Sequence, residues 1–349
     1  MQKQNWFTKK ENIFIIMLAF LSLALFVKTY GQGVAITDLE KLRFAQIITV
    51  IQYLVLFLFM YICLKTVKKD HMDNMCLLLI FYSILTVPYY CGYDQFGTRG
   101  IMMVTVTLLY ALFTFRGKWN ALFFVVPVAG MILQAEYIFS YFNIFALLLF
   151  YQCCQEKDET NKKRWKYRLV VSVVIAFSLL VGFLVSDIAG HSNWIQMGKK
   201  DMLPHGGNLL EMLFMCVLFS PYLFLALRLF QDILKRADEK GEKRCYGGIV
   251  FGGLSVLPLF LLHCHYGKWI FALISYYMIV LLTLLSKGDE VITGAVYGLM
   301  DRMKKRYGWS VLLLIYPVMF VPFGEMNICG ITRMLAEDVK GILQIMGVM

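Results

Sequence analysis

From Ile13 to Phe323 the chain repeats one pattern: an apolar run approaching bilayer thickness, closed by a short polar segment rich in Lys or Arg. A helix crossing ~30 Å of hydrocarbon needs about 20 apolar residues, because every backbone polar group must be satisfied within the segment itself. The runs are Ile13–Val27, Phe44–Leu64, Met75–Cys91, Gly100–Phe115, Ala121–Tyr151, Leu169–Ser186, Leu209–Leu227, Tyr246–Leu262, Trp269–Leu285 and Trp309–Phe323. A soluble fold cannot hide so many such runs, since it must cover itself with polar groups. Composition agrees: 59% of residues are hydrophobic and 16% charged, with mean hydropathy +0.65. The sequence therefore predicts an all-α polytopic integral membrane protein, 1–349, forming a single membrane domain.

The run Ala121–Tyr151 is the informative one. It is 31 residues long, too long for one crossing, and basic clusters flank both ends: Arg116 and Lys118 before, Lys162, Lys163, Arg164, Lys166 and Arg168 after. Positive charge marks the cytoplasmic side. A run that starts and ends inside must enter and return, so 121–151 reads as a short helical hairpin. Its charged residue, Glu136, lies at the middle with Gln134, where the chain would turn. Arms of about 15 residues are short for full spans, so the hairpin either tilts, thins the bilayer or is re-entrant. Counted as two, it brings the total to about 11 transmembrane helices.

Charge partition supports this count. With the N-terminus inside, the inner segments carry 25 of the 34 Lys and Arg and the outer segments 9. Without the hairpin the later loops change sides and the bias collapses. The C-terminus then lies outside, and 324–349 reads as an outer-face amphipathic tail, with Met334, Leu335, Val339, Ile342, Leu343 and Ile345 forming its apolar side. The localisation expected is the cytoplasmic membrane. Net charge of +11 is explained by this partition rather than by nucleic acid.

Several chemistries have no carrier here. There is no G-x-x-x-x-G-K-[ST] or G-x-G-x-x-G sequence and no C-x-x-C pair among the nine cysteines. No cofactor and no metal is expected. His263 and His265 are the nearest approach to a ligand pair, but no further ligand is in register.

The polar residues at the outer ends remain. Asp94 and Arg99 bracket a tight loop, Tyr93-Asp94-Gln95-Phe96-Gly97-Thr98-Arg99-Gly100. The pair either braces the loop or leaves Arg99 facing a phosphate, which its planar fork fits. Glu136 either marks a solvated turn or serves as a general base at the floor of an outer cavity. Lys199, Lys200 and His205 lie in a later outer loop, and His263, His265 and Lys268 open a span. Carboxylates beside His, Lys and Arg are the ingredients of acid/base chemistry with an anion clamp. The catalytic candidates are Glu136, Asp94 and His265. The binding candidates are Arg99, Lys268, His263, His205, Lys199 and Lys200.

The string His265-Tyr266-Gly267-Lys268-Trp269 resembles the D-x-G-R-W pattern of multi-pass proteins from bacterial capsule and exopolysaccharide clusters, which look like repeat-unit polymerases. The stretch Glu136-Tyr137-Ile138-Phe139-Ser140-Tyr141-Phe142-Asn143 is similar to their short aromatic hairpins. Here the Asp is His265 and the Arg is Lys268. The resemblance implies a polyprenyl-linked oligosaccharide as substrate, handled at the outer face amid membrane lipid and alongside other glycan-assembly membrane proteins. Three function classes are carried forward: a polymerase or glycosyltransferase, a lipid-linked glycan flippase or transporter, and a membrane acyltransferase modifying a polysaccharide. The last usually places a His near an Arg on an early helix, and the run after Arg99 has none.

Overall fold

The computed structural model describes residues 136–190, 224–262 and 266–307, together with isolated positions at 51–59, 106–111 and 128–130. The expected spans 13–27, 75–91 and 309–323 and the tail 324–349 lie outside the described residues. The described part is helical, with no strand among those residues. Its elements are α1 (Tyr137–Ser140), α2 (Phe142–Gln155), α3 (Glu159–Ile188), α4 (224–239), α5 (Lys243–Phe251), a 3₁₀ segment (Gly252–Val256), α6 (Leu257–Leu262), α7 (Tyr266–Ser286) and α8 (Glu290–Tyr307).

α2 and α3 form an antiparallel hairpin across the loop 156–158 and pack along their length. Asp158 caps α3 by accepting from the Thr160 amide at 3.1 Å. α3 is, among the described residues, the one helix long and apolar enough to cross a bilayer. Its 30 residues exceed the expected span 169–186, because the basic cluster Lys162–Arg168, read as loop, forms its first turns. The narrow side bearing Ser172 and Ala176 is buried, while Val170, Val174, Phe177, Val181 and Val185 are exposed, Phe177 to 65%. Such a stripe of large apolar side chains is uncommon on a surface that faces water.

α7 behaves in the opposite way. From Ser275 to Ser286 every residue but Tyr277 is buried, so α7 is the central post of the bundle. Its extent matches the expected span 269–285.

Two differences from expectation have clear causes. The run 246–262 is not one helix. Gly252 and Gly253 have low helical propensity, and the rings of Tyr276 and Tyr277 occupy the space where their side chains would be: a Cβ on Gly253 would fall 2.8 Å from the Tyr277 ring. The chain tightens to 3₁₀ there, which detaches the carbonyls of Ile249 and Val250 from their usual i+4 partners. Tyr276 donates to Ile249 O at 2.9 Å and Tyr277 to Val250 O at 2.7 Å, so both remain bonded. The segments 228–245 and 286–308, read as inner loops, are mostly helix. α8 buries Val291, Ile292, Ala295, Val296 and Tyr297 against the bundle. α4 meets α8 through the Asp232–Arg302 ion pair and through Arg236, whose guanidinium fills the space over Gly294 and Gly298.

Candidate functional site

Two polar centres stand out in the described bundle, at different depths. The first is the turn at Glu136. Its carbonyl accepts from the amides of Phe139 (3.1 Å) and Ser140 (3.0 Å) and from Ser140 Oγ (2.8 Å), which closes α1 as a single turn. At Tyr141 the backbone leaves helical geometry (φ −131°, ψ −21°), and α2 starts anew at Phe142. The second arm of the expected hairpin is therefore a broken helix. Glu136 is 5% exposed, so it is not a solvated turn residue. Tyr137 beside it is buried against Gly130, where an added Cβ would fall 2.6 Å from the ring, and its hydroxyl meets Thr107 Oγ1 at 3.2 Å. Tyr110 and Phe145 stack edge to face at 4.4 Å, and Tyr141 lies 6.2 Å from Tyr137.

The break at Tyr141 and the break at Gly252–Val256 face each other. Asn143 Nδ2 donates to Ser255 Oγ at 2.8 Å and to Gly252 O at 3.3 Å, and Ser255 Oγ donates to Phe139 O at 3.1 Å. Asn143 Oδ1 takes the Ile144 amide at 2.8 Å, which fixes the amide's orientation. Buried non-helical backbone persists where its polar groups find partners, and these two breaks supply partners to each other.

Depth follows from the helix rise. Glu136 lies 19 residues before Gln155, so with both arms rising about 1.5 Å per residue it stands level with about residue 178 of α3. That is the middle of the apolar stretch 169–186, not its end. α7 runs parallel to α2, and α1 packs against both α6 and α7. Fifteen residues back from the Tyr151–Asp289 bond on each segment, Glu136 is about level with residue 274 of α7; the next residue, Ser275, is a buried serine whose hydroxyl has no hydrogen-bond partner. Lys268 lies seven residues before Ser275 on the α7 backbone, about 10 Å further toward the N-terminal end.

Asp94, Arg99, Lys199, Lys200, His205, His263 and His265 lie outside the described residues. The structure thus brings Glu136 and the start of α7 to one half of the bundle and leaves the other candidates unplaced.

The second centre is Asp289, which the sequence reading passed over. α7 ends in a Schellman turn: Gly288 takes φ +74° and the Asp289 amide reaches back to Leu284 O at 3.1 Å. Asp289 then caps α8, accepting from the Ile292 amide on Oδ1 at 2.8 Å. Its other oxygen, Oδ2, accepts the hydroxyls of Tyr151 and Tyr246, each at 2.5 Å. Asp289 is 8% exposed. The α4–α5 turn repeats the design, with Gly241 at φ +74° and the Glu242 amide on Ala237 O at 2.9 Å. Lys240 of that turn pairs with Glu290, and Gln155 reaches Glu242 at 3.4 Å. Lys240 holds the Glu290 carboxyl below its ordinary range, and Glu290 in turn raises Lys240. Three connections, 156–158, 240–242 and 287–289, therefore meet at one end, together with the basic first turns of α3. The signal available in sequence was Gly288-Asp289 directly after a long apolar run, a helix stop followed by an N-cap residue. The loop's charge disguised it as solvated. Asp187, 6% exposed near the far end of α3, is a second buried carboxyl that the reading missed.

No group of three or more metal-ligating side chains occurs among the described residues. No protein family, curated protein or solved structure matches the chain.

Proposed function

We propose that the chain is a polysaccharide-biosynthesis membrane protein that transfers glycan from a polyprenyl-phosphate-linked oligosaccharide, acting from the outer side of the cytoplasmic membrane. It has about 11 transmembrane helices, with its N-terminus inside and its C-terminus outside. The observation that carries the reading is Glu136: a carboxyl 5% exposed in an otherwise apolar stretch of 31 residues. Keeping a carboxyl in a buried position is costly. Glu136 is assigned the role of proton acceptor for the attacking sugar hydroxyl, and Arg99 and Lys268 the stabilisation of the departing phosphate. Asp94 and His265 are the further acid/base candidates, and His263, His205, Lys199 and Lys200 line the route for an anionic substrate. The resemblance of His265–Trp269 to the capsule and exopolysaccharide polymerases supplies the substrate class.

The test is conversion in a purified system. The full chain in liposomes is supplied with a short polyprenyl-diphosphate-linked oligosaccharide, and products are sized by gel. A ladder of longer lipid-linked glycans supports transfer. Movement of intact oligosaccharide between leaflets without elongation replaces the proposal with the flippase reading. One observation favours that second reading: two broken helices meet beside the Glu136 turn, a construction that transporters use around substrates at mid-membrane.

A further inference from the structure

The first turns of α3 carry Lys163, Arg164, Tyr167 and Arg168 around a shallow groove of about 420 Å³. Lys163, Arg164 and Tyr167 are exposed, Tyr167 to 69%. Arg168 is held in place by stacking over Trp165, 4.6 Å from the ring centroid. Below the groove the same helical stripe continues through Val170, Val174, Phe177 and Val181, all exposed. The step from charge to apolar surface is abrupt and falls at Tyr167, an aromatic of the type that seats at a membrane–water boundary. From Arg168 to Ile188 the helix is about 30 Å long, the thickness of a hydrocarbon layer. A cationic cup at the boundary, with an uncovered apolar track leading from it, has the shape and chemistry of a two-part ligand: an anionic headgroup with an acyl chain.

We propose that this groove is a binding site for an anionic glycerophospholipid of the adjacent leaflet, its phosphate held by Lys163, Arg164 and Arg168 and its acyl chain lying along Val170, Val174 and Phe177. The site is separate from the Glu136 centre and does not depend on the transferase reading. Charge complementarity selects the occupant: juxtamembrane cations attract anionic lipid by about fivefold in affinity for each Lys or Arg. A zwitterionic lipid gains little from the cup, and a soluble phosphate gains nothing from the track.

Native mass spectrometry of the full chain in detergent tests this. Dioleoyl-phosphatidylglycerol and dioleoyl-phosphatidylcholine are titrated separately and bound adducts counted. The wild type should retain phosphatidylglycerol preferentially. The variant Lys163→Ser/Arg164→Ser/Arg168→Ser should lose that preference, with affinity falling on the order of a hundredfold. Lys235→Ser/Lys243→Ser/Lys305→Ser removes the same charge away from the groove and should keep it. If the triple groove variant is not monodisperse, Arg164→Gln alone carries the test, with a fall of about fivefold. Unchanged phosphatidylglycerol retention in the groove variants overturns the proposal. So does an equal loss in the control variant, which makes the effect one of net charge. Displacement of the lipid by an equal concentration of inorganic phosphate also overturns it, because the apolar track then contributes nothing.

Discussion

Tyr246 and Asp289 are 43 residues apart in sequence and joined by a 2.5 Å hydrogen bond from the tyrosine hydroxyl to Oδ2. The bond ties the start of α5 to the α7–α8 turn, and Tyr151 adds the end of α2 through the same oxygen. One carboxyl therefore caps α8 and holds three connections of the bundle together. Removing it leaves two buried hydroxyls and a helix end without partners.

Asp289→Ala should be the most destabilising change at this end. Loss of the cap costs about 1 kcal/mol, and each orphaned hydroxyl about 1–3 kcal/mol. Tyr151→Phe and Tyr246→Phe should each cost about 1–2 kcal/mol. Because all three share one oxygen, the effects should be less than additive in a double-mutant cycle on thermal unfolding in detergent. Additive losses would mean that the three groups do not share a network.

The glycine pair at the α5 break makes a sharper case. Gly252→Ala puts a methyl against the Tyr276 hydroxyl, and Gly253→Ala puts one against the Tyr277 ring. Each should destabilise by about 1–3 kcal/mol through overpacking. Tyr276→Phe combined with Gly252→Ala should recover part of the loss, since the clashing hydroxyl is gone although Ile249 O loses its donor. No recovery in the melting temperature would show that the hydroxyl is not what excludes a side chain.

Asn143 and Ser255 should behave as one unit. Asn143→Ala leaves Gly252 O without its donor and takes a partner from Ser255; Ser255→Ala leaves Phe139 O without its donor. Either should cost about 1–3 kcal/mol. The double variant should cost little more than the worse single one, as read by thermal unfolding.

The Lys240–Glu290 pair is exposed, so its contribution should be small and salt-sensitive. Glu290 has a depressed folded pKa, so its share is present above the ordinary carboxylate value and lost as pH falls through the depressed one. Lys240 has a raised folded pKa, so its share is present below the ordinary ammonium value and lost as pH rises through the raised one. In Lys240→Gln the Glu290 titration should move back up, which carbon-detected NMR of a labelled Glu side chain reads directly.

How much of this was legible in sequence depends on which interactions decided it. The extent of α7 follows from an apolar run bounded by charge, whereas α3 begins ten residues before its apolar run because the basic cluster before it is helical too. The break before α2 was legible because one carboxyl, Glu136, interrupts 31 otherwise uncharged residues. The 3₁₀ break at Gly252 was invisible to hydropathy: the segment stays apolar throughout, and the cause is the pair of tyrosines on α7. Asp289 was missed because a Lys-Gly-Asp-Glu loop looks solvated until Tyr151 and Tyr246 are seen to close over it.

The central claim is that the buried carboxyl of Glu136 is the proton acceptor of the proposed transfer. Glu136→Gln preserves shape and hydrogen-bonding capacity but removes the proton acceptor. The decisive measurement is elongation of a polyprenyl-linked oligosaccharide by Glu136→Gln and wild-type protein, reconstituted at equal amount and equal thermal stability. The account predicts that elongation falls at least a hundredfold in the variant, as expected for loss of a general base. Full-length glycan made at the wild-type rate would contradict it and leave Glu136 as a structural residue of the hairpin.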